Sequence, residues 1–320
     1  MPTEARRIAI VGGGSLGLFV GGRLARAGNE VHIAGRGREG LPQAVAAEGD
    51  EAWQVPARFL AVDELRGPYA QVVVTVKSHD LPPLLPALAA LGDGRSQFVF
   101  LQNGVPWWWT HKEADGGAPP LARTVAVVVH HAVERTAPGR IRVRRTGSDR
   151  YLCGRPAAAG QVAQAAQVGD AAADPALAAL VAGWQAAGIP AEQRADIRAE
   201  VWGKLMGNAT LNPLSAITGA TVGELAGTRE TREVLLAGMA EIARIAAAEG
   251  CPSPTTPQQR VARAELVGAV RTSMLQDRLA GRRLETDALL AAPIAIADAH
   301  GIAVPVLRTL LAGLRFAGGR

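Results

Sequence analysis

Cysteine is nearly absent from this chain: 320 residues contain only Cys153 and Cys251, far apart and without C-x-x-C spacing. That excludes a disulfide framework and a thiolate metal site, and it fits a reducing cytoplasm. Long apolar runs are also missing. The stretch that starts at Ile8 is broken by Gly12, Gly13 and Gly14 before a secretory core could develop, and no segment approaches the roughly 20 uninterrupted apolar residues of a membrane span. The expectation is a soluble protein without a membrane partner. Basic runs with interleaved aromatics are lacking too, so the net charge of +5 comes from scattered arginines and points to an anionic ligand, not to nucleic acid.

What the chain does have is 48% hydrophobic residues, enough for two cores at this length. Its first half alternates β-rich runs with amphipathic stretches: Ile8 to Val11, Glu30 to Ala34, Gln71 to Val76 and Gln97 to Leu101 read as buried strands, the pattern of a parallel sheet covered by helices. From Thr124 to Cys153 the pattern becomes β runs around the turn Ala137-Pro138-Gly139, expected as antiparallel strands appended to that sheet. Gly154 to Asp174 reads as a loop with an ill-defined helix. After Asp196 the periodicity is helical, with stops at Gly250-Cys251-Pro252, near Gly281 and at Gly301 to Pro305. The expected architecture is α/β, with a Rossmann-type dinucleotide-binding domain over 1–195 and an all-α substrate-binding domain over 196–320.

Ile8-Ala9-Ile10-Val11 runs into Gly12-Gly13-Gly14-Ser15-Leu16-Gly17 and then a helix expected over Leu18 to Ala27. In this strand-turn-helix setting, Gly12 permits the tight turn, Gly14 lets the backbone approach a pyrophosphate, Gly17 allows close packing of helix on strand, and the helix N-terminus faces the phosphates. Beyond the second strand the chain reads Ala34-Gly35-Arg36-Gly37-Arg38, with no carboxylate before Glu39. NAD enzymes place Asp or Glu here for the ribose 2′-hydroxyl, whereas arginine suits a 2′-phosphate, so either arginine favours NADP.

In the second half, Lys204, Asn208 and Asn212 stand at i, i+4 and i+8, which on one helix aligns an ammonium and two amides along a single face. From spacing alone that face is either a polar substrate site or a solvated stripe.

These residues, together with Val74-Thr75-Val76-Lys77, Gln102-Asn103-Gly104, and Ser273-Met274-Leu275-Gln276-Asp277 followed by Gly281-Arg282 and Glu285, resemble the ketopantoate reductase (2-dehydropantoate 2-reductase) family over most of the chain. The resemblance implies NADPH-dependent reduction of a 2-keto acid to a 2-hydroxy acid in pantothenate biosynthesis, a cytoplasmic setting and a homodimer. It implies Lys204 as general acid and Glu285 as the group that binds the substrate hydroxyl and helps hold Lys204. It implies Asn103, Asn208, Asn212 and Ser273 around the substrate, and Gly12, Gly14, Ser15, Leu16, Gly17, Arg36, Lys77 and Asn103 around the cofactor. It also singles out Arg36 as the partner of the 2′-phosphate.

Independently of the resemblance, Gly281 should end the helix bearing Ser273 and let Glu285 return at the start of the next. Trp107-Trp108-Trp109 departs from the family's pattern. Three adjacent tryptophans could line a bulkier pocket, form a lid, bury a subunit contact, or pack against the glycine-rich segment that follows. His130-His131 departs as well, and adjacent strand residues point to opposite faces, which argues against a metal pair. His79 and His111 read as surface or core residues. Another reductase of a ketone or imine, or an NADP-binding regulator without turnover, remains open.

Overall fold

The computed structural model describes residues 5–110, 117–156 and 174–318. His111 and most of the Gly154 to Asp174 stretch lie outside them. The chain divides into two compact units, one of residues 1–102 with 110–197, the other of 103–109 with 198–320. The segment Asn103–Trp109 is therefore counted with the later helices, although its sequence neighbours belong to the first unit.

Among the described residues, twelve strands build two sheets in the first unit. They are β1 (Arg7–Val11), β2 (Glu30–Gly35), β3 (Ala44–Gly49), β4 (Trp53–Pro56), β5 (Arg58–Ala61), β6 (Gln71–Val74), β7 (Gln97–Phe100), β8 (Thr124–His130), β9 (Ala132–Ala137), β10 (Arg140–Arg144), β11 (Arg150–Gly154) and β12 (Ala191–Gln193). The main sheet has the order β12-β11-β8-β7-β6-β1-β2-β5, and every neighbouring pair is parallel except β8 with β11. β1, β6 and β7 are almost wholly buried, which is why they read as unbroken apolar runs. Strand order reverses between β1 and β6, and at such a switch point open α/β sheets bind ligands beyond the carboxyl ends of the strands.

Of the appended strands, β11 joins this sheet as an antiparallel neighbour of β8, but β9 and β10 do not. They form a hairpin through Gly139, at φ +69, and pair with β3 and β4 in a second sheet of order β4-β3-β10-β9. This small sheet covers the Ser15–Arg26 helix. Trp53 and Val45 press on Gly22, where a β-carbon would sit 2.5 Å from the indole, and Phe19 meets Trp53 with ring centroids 6.5 Å apart. The helix itself starts at Ser15, three residues earlier than the sequence suggested.

The second unit is helical around its own core, which includes Trp202, Leu205, Met206, Met239, Ile242, Leu289 and Leu307. The longest helix, Ile197–Thr218, carries Lys204, Asn208 and Asn212. Glu241, buried in the Arg229–Ala248 helix, accepts hydrogen bonds from the backbone N–H groups of Val306 and Leu307, both at 2.9 Å. It thereby caps the C-terminal Pro305–Gly318 helix with a negative charge where the helix dipole favours one. Among the described residues no helix is long and apolar enough to cross a membrane.

Candidate active site

In the first unit the glycine loop leaves β1 with Gly12 at φ +123, a conformation open to glycine at little cost. A β-carbon on Gly12 would lie 2.6 Å from the Thr75 hydroxyl, and one on Gly17 would lie 1.9 Å from the Gly12 carbonyl oxygen. The loop is thus closed on itself by two obligatory glycines. Thr75, named in the sequence only as part of the Val74-Thr75-Val76-Lys77 motif and given no role there, locks it by donating its hydroxyl to the Gly12 carbonyl at 2.8 Å.

Gly14 differs: it is exposed, and nothing lies within 4 Å of where its β-carbon would be. It is also the N-cap of the Ser15–Arg26 helix, whose first turn holds no acidic residue and no side-chain cap. The first N–H groups of that helix, at Ser15, Leu16 and Gly17, are left to an external anion. An open cradle at a helix N-terminus, on the switch point of a parallel sheet, fits a dinucleotide pyrophosphate.

The two arginines after β2 separate clearly. Arg38 pairs with Asp63 and lies 3.8 Å from Glu64, whereas Arg36 is 91% exposed and only 3.8 Å from Asp80. Arg36 is the more available guanidinium. Lys77 follows β6 and Thr75, half-buried, at the start of the turn Ser78–Asp80. Gln102, which heads the Gln102-Asn103-Gly104 motif without a role assigned from sequence, ties the ends of the strands together by donating to the carbonyls of Val74 at 3.1 Å and Val76 at 3.2 Å.

In the second unit Asn103, Gly104 and Val105 dock onto the segment after Glu285. The Val105 N–H donates to the Ala288 carbonyl at 2.8 Å, and Gly104, at φ +85, lies so close that a β-carbon would meet that carbonyl oxygen at 2.5 Å. This attachment presents Asn103 to Lys204, whose Nζ donates to Asn103 Oδ1 at 2.7 Å. Glu285 is buried just before a π-helical turn at Asp287–Ala291, and Gly281, at φ +63, follows the helix Ser273–Leu279. Such π turns are recurrent at functional sites.

Burial pulls the Lys204 ammonium down from 10.5 to about 8; the charge of Glu285 opposes that shift and the charge of Arg260 adds to it. Asn208 and Asn212 follow on successive turns of the same helix, half-buried and buried, and their amides make no hydrogen bond among the described residues. Ser273 stands apart. It is exposed in the first turn of its helix, whose capping hydroxyl is that of Thr272, and no hydrogen bond joins it to Lys204, Asn103 or Glu285 among the described residues.

Two of the three tryptophans are used in packing. Trp108 is buried, and the Trp109 indole N–H donates to Glu249 at 2.7 Å while its ring meets Trp202 edge-on at 5.5 Å and carries the Arg198 guanidinium at 4.4 Å. Trp109 packs against the core of the helical unit, and the Trp108 ring lies beside it with centroids 5.4 Å apart. His131 is also structural, with its Nδ1 3.0 Å from the Tyr151 hydroxyl and its ring edge-on to Phe19; burial lowers its pKa.

Residues 8–155 match the family model for ketopantoate reductase PanE/ApbA, and residues 196–317 match the model for the C-terminal domain of the same family. A curated relative from Mesorhizobium japonicum, named 2-dehydropantoate 2-reductase, is 33% identical over 313 residues, covering 89% of this chain and 90% of its own. A relative of the same name from Halobacterium salinarum is 30% identical over 97% of this chain and 98% of its own. The crystal structure of 2-dehydropantoate 2-reductase from Geobacter metallireducens superposes with a TM-score of 0.80 at 25% identity, covering 97% of this chain and 99% of that one. The chain belongs to the ketopantoate reductase PanE/ApbA family.

Proposed function

We propose that this protein reduces a 2-keto acid to the corresponding 2-hydroxy acid with NADPH, ketopantoate being the first substrate to test, and that Lys204 is the proton donor. The observation that carries the proposal is the state of Lys204: a buried ammonium brought to about 8, held by Asn103 and followed by the uncommitted amides of Asn208 and Asn212. A general acid works best when its pKa lies near the operating pH. The relatives named 2-dehydropantoate 2-reductase support the choice of substrate.

The glycine loop and the helix N-terminus beyond it bind the pyrophosphate, and Arg36 pairs with the 2′-phosphate, for which Arg38 is already committed. NADPH, when bound, supplies the hydride to the keto carbon. Lys204 Nζ donates a hydrogen bond to the keto oxygen, stabilises the negative charge that grows there, and passes its proton to that oxygen. Asn103, by accepting from Nζ, fixes which way the ammonium points. Glu285 keeps Lys204 protonated more often than burial alone would allow and accepts a hydrogen bond from the product hydroxyl. Asn208 and Asn212 orient the substrate.

The test is a panel of 2-keto acids, ketones and imines scored by loss of NADPH absorbance, with wild type and Lys204→Ala side by side. The expected outcome is preferred reduction of a 2-keto acid, with turnover lowered about 10²- to 10⁴-fold in the variant and NADPH affinity unchanged. Unchanged turnover would remove Lys204 from the mechanism.

A further inference from the structure

The Pro257–Val267 helix is fixed at both levels of its structure. Thr256 and Gln259 cap it reciprocally, and its apolar side chains Val261 and Ala264 are buried in the core of the helical unit. Arg260 follows Gln259 and lies beside the Ile197–Thr218 helix. A β-carbon placed on Gly207 would be 2.4 Å from Nη2 and 2.6 Å from Nε of Arg260, so the guanidinium rests against backbone that only a glycine leaves bare. Gly207 is three residues after Lys204 and immediately before Asn208. Arg260 therefore sits one helical turn from the proposed proton donor, close enough that its charge acts on Lys204.

Several other arginines of the helical unit have a carboxylate partner. Arg232 pairs with Glu265, Arg282 with Asp277, and Arg308 with Asp298. Among the described residues no carboxylate pairs with Arg260, and its Nε is buried without a hydrogen-bond partner. Removing a cation from water without a counter-charge is costly, and structures compensate such charges with an anion.

From this geometry we propose that Arg260 binds the carboxylate of the substrate. The proposal rests on the 2-keto acid reading above. A 2-keto acid carries its carboxylate on the carbon next to the keto group, so two cationic contacts a short distance apart suit it, one for the oxygen that becomes an alkoxide and one for the permanent anion. Lys204 is the former, a compact charge able to give up a proton. Arg260 is the latter, a planar fork that cannot be deprotonated and that matches a carboxylate with two parallel hydrogen bonds. Gly207 is the residue that admits the guanidinium to this position.

The experiment compares a 2-keto acid with its primary amide, which has the same shape and no charge, in wild type, R260Q, R260K and G207A, after thermal melting and NADPH titration have shown each variant folded and loaded. For R260Q the expected result is a KM for the acid raised about 10- to 100-fold, a smaller change in kcat, and a much smaller change in KM for the amide. R260K recovers part of the acid preference, and G207A, which pushes the guanidinium aside, reproduces the loss with Arg260 still present. A wild type that prefers the acid, with that preference intact in R260Q and G207A, overturns the role of Arg260 alone. A wild type that reduces both compounds equally overturns the 2-keto acid reading together with it.

Discussion

The alkaline limb of the pH profile is the most direct consequence of where Lys204 lies. Free lysine titrates near 10.5, and burial brings this one to about 8, against the opposing charge of Glu285 and with the help of Arg260. Only the ammonium can protonate the keto oxygen. With a pKa of about 8, roughly 90% of the enzyme is competent at pH 7 and roughly 10% at pH 9, so kcat/KM for reduction should fall about tenfold across that interval and with unit slope beyond it. A lysine at its ordinary value would leave the rate flat to about pH 10.

Initial rates of NADPH oxidation at keto acid concentrations well below KM, from pH 6 to 10 at constant ionic strength, give the limb directly. Glu285→Gln removes the charge that favours the ammonium and should move the limb to lower pH. The same burial makes a statement about stability. Folded Lys204 binds a proton less readily than unfolded Lys204, so stability rises with pH between about 8 and 10.5, and below that window the buried charge costs up to about 3 kcal/mol. Lys204→Met should accordingly raise the melting temperature at pH 7 while abolishing reduction. A flat profile to pH 10, or a limb that persists in the Lys204→Met variant, would refute the reasoning.

Two further outcomes test other parts of the site. Arg36→Ala should weaken NADPH about 10- to 100-fold and leave NADH affinity nearly unchanged, as judged by quenching of intrinsic fluorescence, since only the 2′-phosphate loses its partner; equal affinities for the two cofactors in wild type would dismiss the role of Arg36. Gly104→Ala forces a side chain into positive φ against the Ala288 carbonyl, a strain of about 1 to 3 kcal/mol, and should lower both the melting temperature and kcat by displacing Asn103; a variant with wild-type kcat would show that Asn103 does not position Lys204.

The parts of the molecule legible in sequence are those whose signals are local. β1, β2, β6 and β7 are apolar because both faces are covered, and the glycine loop is legible because turn, close approach and packing fall within six residues. The face of Lys204, Asn208 and Asn212 follows from helical spacing alone. What escaped depends on distant pairing. β3 is a short strand of small, half-exposed residues whose parallel partner, β10, is contributed by a stretch almost a hundred residues later, so no periodicity announces it. The Asn103 contact with Lys204 spans 101 positions and exists only because Gly104 and Val105 bind beside the π turn. Arg260 belongs to no motif in the sequence; only the glycine facing it on another helix singles it out.

The inclusion of Asn103–Trp109 in the helical unit also limits how this protein can be rebuilt. A chimera joined near residue 196, with the cofactor half of one relative and the helical half of another, inherits Lys204 and Glu285 from one parent and Asn103 from the other. Its proton donor then depends on a foreign segment seating correctly against the Ala288 carbonyl. A functional exchange must carry the Asn103–Trp109 segment across with residues 198–320, so the transferable cassette is discontinuous in the gene.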